Sequence, residues 1–369
     1  MSISTSEAQY IIESCLTNYR IDGRTQLEHR PYTITNKSTK SSTSSSAVPS
    51  LILSNGSSRI HLPGSSTDVL CSVKADLVHP SPSKPNEGVL ELNVDLSLSG
   101  GGGTVGGVGG AGGGGGASRK RRQQREEESQ ITSLLQRLVL PHAVNYSKLV
   151  VWPGRYVWRL AIDIVVLRCD GCVLDACSIA LREGLCNTKL PKVQAVMGNE
   201  NNEGSSSKND LMVDGDFKMA ESPSGAEECP LVITISVLSA PPPAITSTTL
   251  QSTKKRRHRS ISIIDARTEE EACAVSRVCV SVDPSAMVCG VHTLCGGGLE
   301  LEGSEEYSVG QSMPLTMLGD IVSAAAKAST NLYALLDGNE TESNGMKKHN
   351  IQGNDDGYGY LLKDHFLIQ

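Results

Sequence analysis

From residue 89 to 98 the chain alternates Leu90, Leu92, Val94, Leu96 and Leu98 with Glu91, Asn93, Asp95 and Ser97. A period of two puts every second side chain on one face, so this stretch predicts a half-buried strand. Shorter β-rich runs fall at 32–34, 59–62, 69–77, 231–238, 260–265, 275–282 and 286–294. Residues 149–152 and 156–169 flank Pro153-Gly154. Proline presets φ and glycine permits the next residue any sign, so these two runs predict a hairpin. Elsewhere the period lengthens to that of a helix. Ile11, Ile12, Cys15, Leu16 and Tyr19 predict a helix over 8–19. Ile131, Leu134, Leu135 and Leu138 predict one beginning near 126. Leu174, Cys177, Leu181 and Leu185 predict a third, with Ala180 and Gly184 giving a smooth side for close packing. Leu318, Ile321, Val322, Ala325, Leu332 and Leu336 predict a long one over 316–336. Strands followed by helices, twice over, indicate an α+β protein of two similar βα halves.

Four stretches carry neither period. Residues 38–50 are a Ser/Thr tract, 199–228 are polar, and 338–357 are rich in Asn, Asp, Gly and Lys. Residues 100–116 hold 13 glycines in 17 positions. Such segments bury too little apolar surface to offset a backbone ordering entropy of roughly 1–2 kcal/mol per residue. The expected organisation is therefore a helix and lead-in over 1–25 and a first half over 26–197, interrupted at 38–50 and 99–125. A linker covers 198–228. The second half spans 229–337, with a basic insertion at 241–259, and a tail covers 338–369.

Composition agrees with ordered segments diluted by others. Hydrophobic residues are 38% and aromatics 4% of 369, with 36 glycines. The net charge of −6 does not by itself predict a nucleic-acid binder, but the cations are clustered. Residues 1–9 carry no apolar run, so no secretory signal is expected. The apolar stretch around 160–167 is broken by Asp163 and too short for a bilayer, so no membrane span is expected. Eleven cysteines are then expected as reduced thiols. Cys169, Cys172 and Cys177 lack a second CxxC or His pair at zinc-finger spacing, so no metal is expected and they read as structural cysteines.

Residues 20–30 read RxDGRxxxExR, built from Arg20, Asp22, Gly23, Arg24, Glu28 and Arg30. With Val73-Lys74-Ala75-Asp76, Pro85-Asn86-Glu87-Gly88, Trp152-Pro153-Gly154 and Asp163-Ile164, this motif resembles the RNase PH family. The likeness continues through Asp175-Ala176-Cys177-Ser178-Ile179-Ala180, Asn187-Thr188-Lys189-Leu190-Pro191 and residues 265–272. It covers most of the patterned sequence and is greatest for the ring subunits of the RNA exosome. The resemblance implies an RNase PH-like fold (ribosomal protein S5 domain 2-like). It also implies a six-membered ring of similar subunits, bound to S1/KH-type cap subunits and to single-stranded RNA, without a cofactor.

Active members of the family hold phosphate with a Gly-Thr-Arg/Ser loop at a helix N-terminus, where backbone N–H groups, a hydroxyl and a guanidinium face the anion. The corresponding loop here is Asp170-Gly171-Cys172-Val173-Leu174-Asp175, which offers none of Ser, Thr or Arg. Active members also place an Asp after the acidic pair. The matching position is Arg277, and no carboxylate lies between Glu271 and Asp283. An arginine neither delivers a proton at neutral pH nor binds a divalent cation. The expectation is a catalytically silent subunit with no catalytic residues, in which Glu269, Glu270 and Glu271 are a solvated helix start. The rival readings are an active phosphate-dependent 3′→5′ exoribonuclease and a neighbouring non-catalytic ring paralogue.

Lys74, Arg155 and Arg159 are the cations expected to face RNA in the ring's pore, where backbone charge rather than base reading would hold the strand. Two basic runs stand apart: Arg119-Lys120-Arg121-Arg122 with Arg125, and Lys254-Lys255-Arg256-Arg257 with Arg259. Such runs attract phosphates and also serve as nuclear import addresses. Glu126–Glu128 partly neutralise the first, so the second is the better import candidate. The expected location is nucleus, including nucleolus, and cytoplasm.

Overall fold

The computed structural model describes residues 3–35, 54–62, 66–96, 115–196, 210–214, 219–240, 259–295 and 315–337. Helix α1 (Thr5–Leu16) comes first, capped by the Ser4 hydroxyl accepting from the Glu7 N–H. A mixed sheet follows: β1 (Thr33–Thr35), β2 (Gly56–His61), β3 (Asp68–Val78), β4 (Val89–Asp95), β5 (Val150–Trp152) and β6 (Tyr156–Arg168). Their order is β1-β2-β3-β6-β4, with β5 also paired to β6. Only β4 runs parallel to its neighbour β6. Helix α2 (Gly115–Leu138) connects β4 to β5, and α3 (Val173–Asn187) follows β6. A ribbon of β7 (Val193–Val196) and β8 (Asp210–Val213) leads into the second half.

The second sheet is antiparallel, ordered β10-β9-β11-β12, from β9 (Leu231–Ala240), β10 (Arg259–Ile264), β11 (Ser276–Val282) and β12 (Val288–Cys295). The short α4 (Thr268–Ala272) sits between β10 and β11, and α5 (Leu315–Asp337) comes last. Helix α3 touches β2, β3 and β6 of the first sheet and β9 of the second, so one hydrophobic core joins the halves. A satellite cluster of Ala8, Ile11, Ile12 and Cys15 packs α1 against Leu238 and Ile263.

The alternation of β4 appears as expected. Leu92 and Val94 are buried, while Glu91 and Asn93 are exposed. The smooth side of α3 is also used, because a Cβ on Gly184 would lie 2.8 Å from the Cys71 sulfur. Gly56 is tighter still. A Cβ there would lie 2.3 Å from Thr188 Oγ1, 2.6 Å from Thr188 Cα and 2.7 Å from the Gly184 carbonyl oxygen. Two of those neighbours are backbone and cannot step aside. Gly56→Ala is expected to destabilise by about 2–3 kcal/mol, the range of an overpacked core, in chemical denaturation.

Two boundaries differ from the sequence pattern. Helix α2 begins at Gly115, eleven residues before the expected start near 126, so the first basic run is helical rather than part of an insertion over 99–125. Ala117 and the Arg, Lys and Gln that follow are good helix formers and extend it without any apolar period. The expected linker at 198–228 is partly structured. Its residues 210–213 form β8, Glu221 bridges Leu190, and Ala226 is buried. These pieces are shorter than any window in which periodicity registers. The tracts at 38–50, 100–114 and 338–357 lie outside the described residues.

Candidate functional site

The loop from β6 into α3 is held in place by its backbone. Gly171 has φ +77°, and a Cβ there would lie 2.3 Å from the Ala266 carbonyl oxygen, so only glycine fits. Cys172, the N-cap of α3, is left-handed at φ +47° and makes no side-chain cap. Its N–H donates instead to Glu271 Oε1 at 2.9 Å. Arg277 Nη1 stands 3.6 Å from Glu271 Oε2. Glu271 therefore does not belong to a solvated helix start. Burial pushes its carboxyl up, against the pull of Arg277. Glu270 is buried as well and takes both arms of the Arg20 guanidinium, at 2.9 and 2.5 Å. An acidic triplet signals solvent by composition, and here tertiary cations override that signal.

Asp175, in the first turn of α3, is also inside. Its Oδ2 accepts the Thr234 N–H at 2.9 Å and its Oδ1 the Thr234 hydroxyl at 2.5 Å. Burial raises its carboxyl to about 7, with the Thr234 bonds opposing. Asp170 completes the rim. Its N–H donates to Thr67 Oγ1 at 2.9 Å, and its carboxylate lies 3.2 Å from Arg267 and 3.7 Å from Arg30. The start of α3 thus faces three carboxylates of its own chain, and Arg30, Arg267 and Arg277 each have a carboxylate partner. Among the described residues no group of three or more His, Cys, Asp or Glu is placed to hold a metal. Cys172 and Cys177 pack into different clusters, while Cys169 is exposed.

The motif at 20–30 is internal. Gly23 has φ +80° and its N–H closes the turn onto the Arg20 carbonyl. Arg24 Nη1 donates to Asp265 Oδ2 at 3.0 Å, and Arg24 Nε donates to Asp22 at 2.7 Å. Arg30 grips Asp265 through Nε and Nη2 and through its own N–H. Burial alone would raise Asp265, but the hydrogen bonds and charge of Arg30 outweigh it and hold the carboxyl at about 2. Neither the pairing of Arg20 with Glu270 nor that of Arg30 with Asp265 carried a sequence signal, because about 240 residues separate the partners.

Lys74 and Arg159 reach the same polar face of the first sheet, on the adjacent strands β3 and β6. Lys74 lies 3.8 Å from Asp163, and Arg159 lies 2.9 Å from Asp76 and 3.9 Å from Glu91. Arg155 is elsewhere, in the β5–β6 turn, exposed and stacked 4.9 Å over the Trp152 ring. The face therefore mixes signs rather than forming a cationic track. Arg259 opens β10 opposite Ala240, and Lys254, Lys255, Arg256 and Arg257 lie outside the described residues.

Residues 28–191 match the profile of the 3′ exoribonuclease family, domain 1. Residues 28–191 are therefore similar to an RNase PH domain. The structural neighbours of this RNase PH fold include an archaeal exosome core, at a TM-score of 0.52 with 20% identity, covering 89% of this chain and 96% of the other. Another is the Archaeoglobus fulgidus exosome with RNA bound to the active site, at 0.54 and 20%, covering 88% and 95%. In sequence the chain is 31% identical over 192 residues to the exosome complex component Rrp42 of Sulfurisphaera tokodaii, covering 52% of this chain and 59% of the relative. It thus spans about three-fifths of that protein. To the putative exosome complex exonuclease RRP42 of Dictyostelium discoideum it is 25% identical over 336 residues, covering 81% and 89%.

Proposed function

We propose that this chain is a non-catalytic structural subunit of a eukaryotic RNA exosome ring, equivalent to the Rrp42 subunits it resembles. It would support 3′→5′ RNA processing and degradation, including ribosomal RNA maturation, by completing the ring and positioning RNA for a nuclease elsewhere in the complex. The observation that carries the silent reading is the Glu271 carboxylate on the Cys172 N–H. The anion position at the start of α3 is already filled by the Glu271 carboxylate, and negative charge there repels phosphate. Where an acid would be needed stands Arg277, engaged with Glu271.

Ring neighbours of RNase PH type, S1/KH-type caps and single-stranded RNA are the expected partners, without a cofactor. The proposed location is nucleus, including nucleolus, and cytoplasm. Lys74, Arg155 and Arg159 remain the proposed pore contacts. Purified full-length chain is expected to leave a 3′-labelled oligoribonucleotide intact with or without inorganic phosphate. Phosphate-dependent shortening with release of nucleoside diphosphates would establish the active rival instead. A tagged chain should co-purify with two RNase PH-like neighbours, and a monomer free of exosome subunits would remove the ring reading.

A further inference from the structure

We propose that the N-terminal half of α2 is a binding arm for the phosphate backbone of single-stranded RNA, carried by Arg119, Lys120, Arg121, Arg122 and Arg125. At 1.5 Å per residue the 24-residue helix is about 36 Å long. Among its described side chains, the buried ones lie in the second half. Ile131 is half-buried and Leu134, Leu135 and Leu138 are buried, whereas Arg122, Gln123, Arg125, Glu126 and Glu127 are exposed. The tie nearest the arm among the described contacts is the Leu96 N–H donating to Glu128 Oε1 at 3.1 Å. The helix continues for about three turns on the N-terminal side of Glu128.

That extension has no fold-stabilising reason to carry its charges. The first turn holds no acid. Cations near a helix N-terminus oppose the macrodipole, and Arg121 and Arg125 are like charges four residues apart. The Arg122–Glu126 pair, 3.0 Å apart with side chains 84% and 65% exposed, offsets little of this. Residues 117–130 contain no apolar side chain larger than Ala117, so the arm has no face for a hydrophobic groove or a membrane surface. Its binding chemistry is that of guanidinium and ammonium groups, which suits a polyanion. A bound phosphate backbone would relieve both the dipole and the like-charge penalties. Arg125 also lines a shallow groove with Asn93, Glu128 and Thr132, which leads from the arm towards the polar face of the first sheet. The choice of RNA among polyanions rests on the function proposed above.

The test is fluorescence anisotropy of the full chain with a fluorescein-labelled oligouridylate across a salt series. Each cation that displaces a counterion from a single strand contributes about 0.7 to the slope of log K against log salt. Replacing all five cations by alanine is expected to flatten the slope by about 3.5 and weaken binding at low salt at least tenfold. The melting temperature should change little, since Arg122 and Arg125 are exposed. Glu126→Gln with Glu127→Gln should instead tighten binding several-fold. RNA should also raise the helical circular dichroism of the natural chain but not of the alanine variant. A slope change below about 1 would overturn the proposal. So would loss of nuclear accumulation with the slope intact, which would make the run an import address. Because catalysis and ring assembly are read separately, failure here is distinguishable from failure of the proposed function.

Discussion

Asp265→Ala is expected to lower stability by about 3–5 kcal/mol, the penalty for leaving buried charges without their partner. The single carboxylate serves two guanidiniums, accepting from Arg30 at 2.5 Å and from Arg24 at 3.0 Å. The side chains of all three are at most 9% exposed. Water therefore cannot take over from the lost oxygens. Asp265 also sits at φ +49°, a conformation in which a short polar side chain is tolerated better than alanine. Its own carbonyl accepts from Arg20 and Arg24, so a shift of the backbone would disturb those bonds as well. Guanidinium denaturation should show the drop in midpoint with little change in slope. Arg30→Met added to Asp265→Ala should recover part of the loss, because it removes the stranded cation. A loss under 1 kcal/mol for Asp265→Ala would mean that the cluster is solvated.

Stability should fall as pH rises from about 4 to 7, and Asp175→Asn should abolish most of that fall. The Asp175 carboxyl is raised from 3.8 to about 7 by burial, so between those values the folded chain holds a proton that the unfolded chain releases. At 1.36 kcal/mol per pH unit the contribution lost is about 4 kcal/mol, complete above pH 7. Asparagine can keep both contacts, its oxygen accepting the Thr234 N–H and its amide donating to the Thr234 hydroxyl. Asp265 acts with the opposite sign. Held at about 2, it contributes stability above its unfolded value that disappears as pH drops through 2. Thermal melts from pH 4 to 8 read the first effect. An unchanged pH profile in Asp175→Asn would show that this carboxyl is not the group responsible.

The fold was legible where local pattern and tertiary role coincide. β4 buries Leu92 and Val94 and shows Glu91 to solvent, so its alternation is its structure. Helix α3 presents Gly184 to the Cys71 sulfur, so the small side seen in the sequence is the packing side. The site was half legible. The loop at 170–175 and Arg277 could be read as departures from an active pattern, since each is a missing residue type. What the backbone of that loop engages could not be read. The Cys172 N–H finds Glu271 across about 100 residues of chain, and no spacing rule encodes that contact. Glu269, Glu270 and Glu271 look alike in composition, yet only the last two are drawn inside, by Arg20 and Arg277. The start of α2 carries no sequence signal for the converse reason, since an all-polar helix has no apolar period.

Arg20 and Arg24 lie outside the segment that matches the family profile, which begins at residue 28, yet both end on residues of the second half. The profile-matched segment and the folding unit are therefore different objects in this chain. A protein started at residue 28 would keep every residue of the matched domain and lose two of the three arginines that fasten β10 and α4. The edge of the profile match falls inside this buried electrostatic joint, and a cut made there would separate parts that stand or fall together.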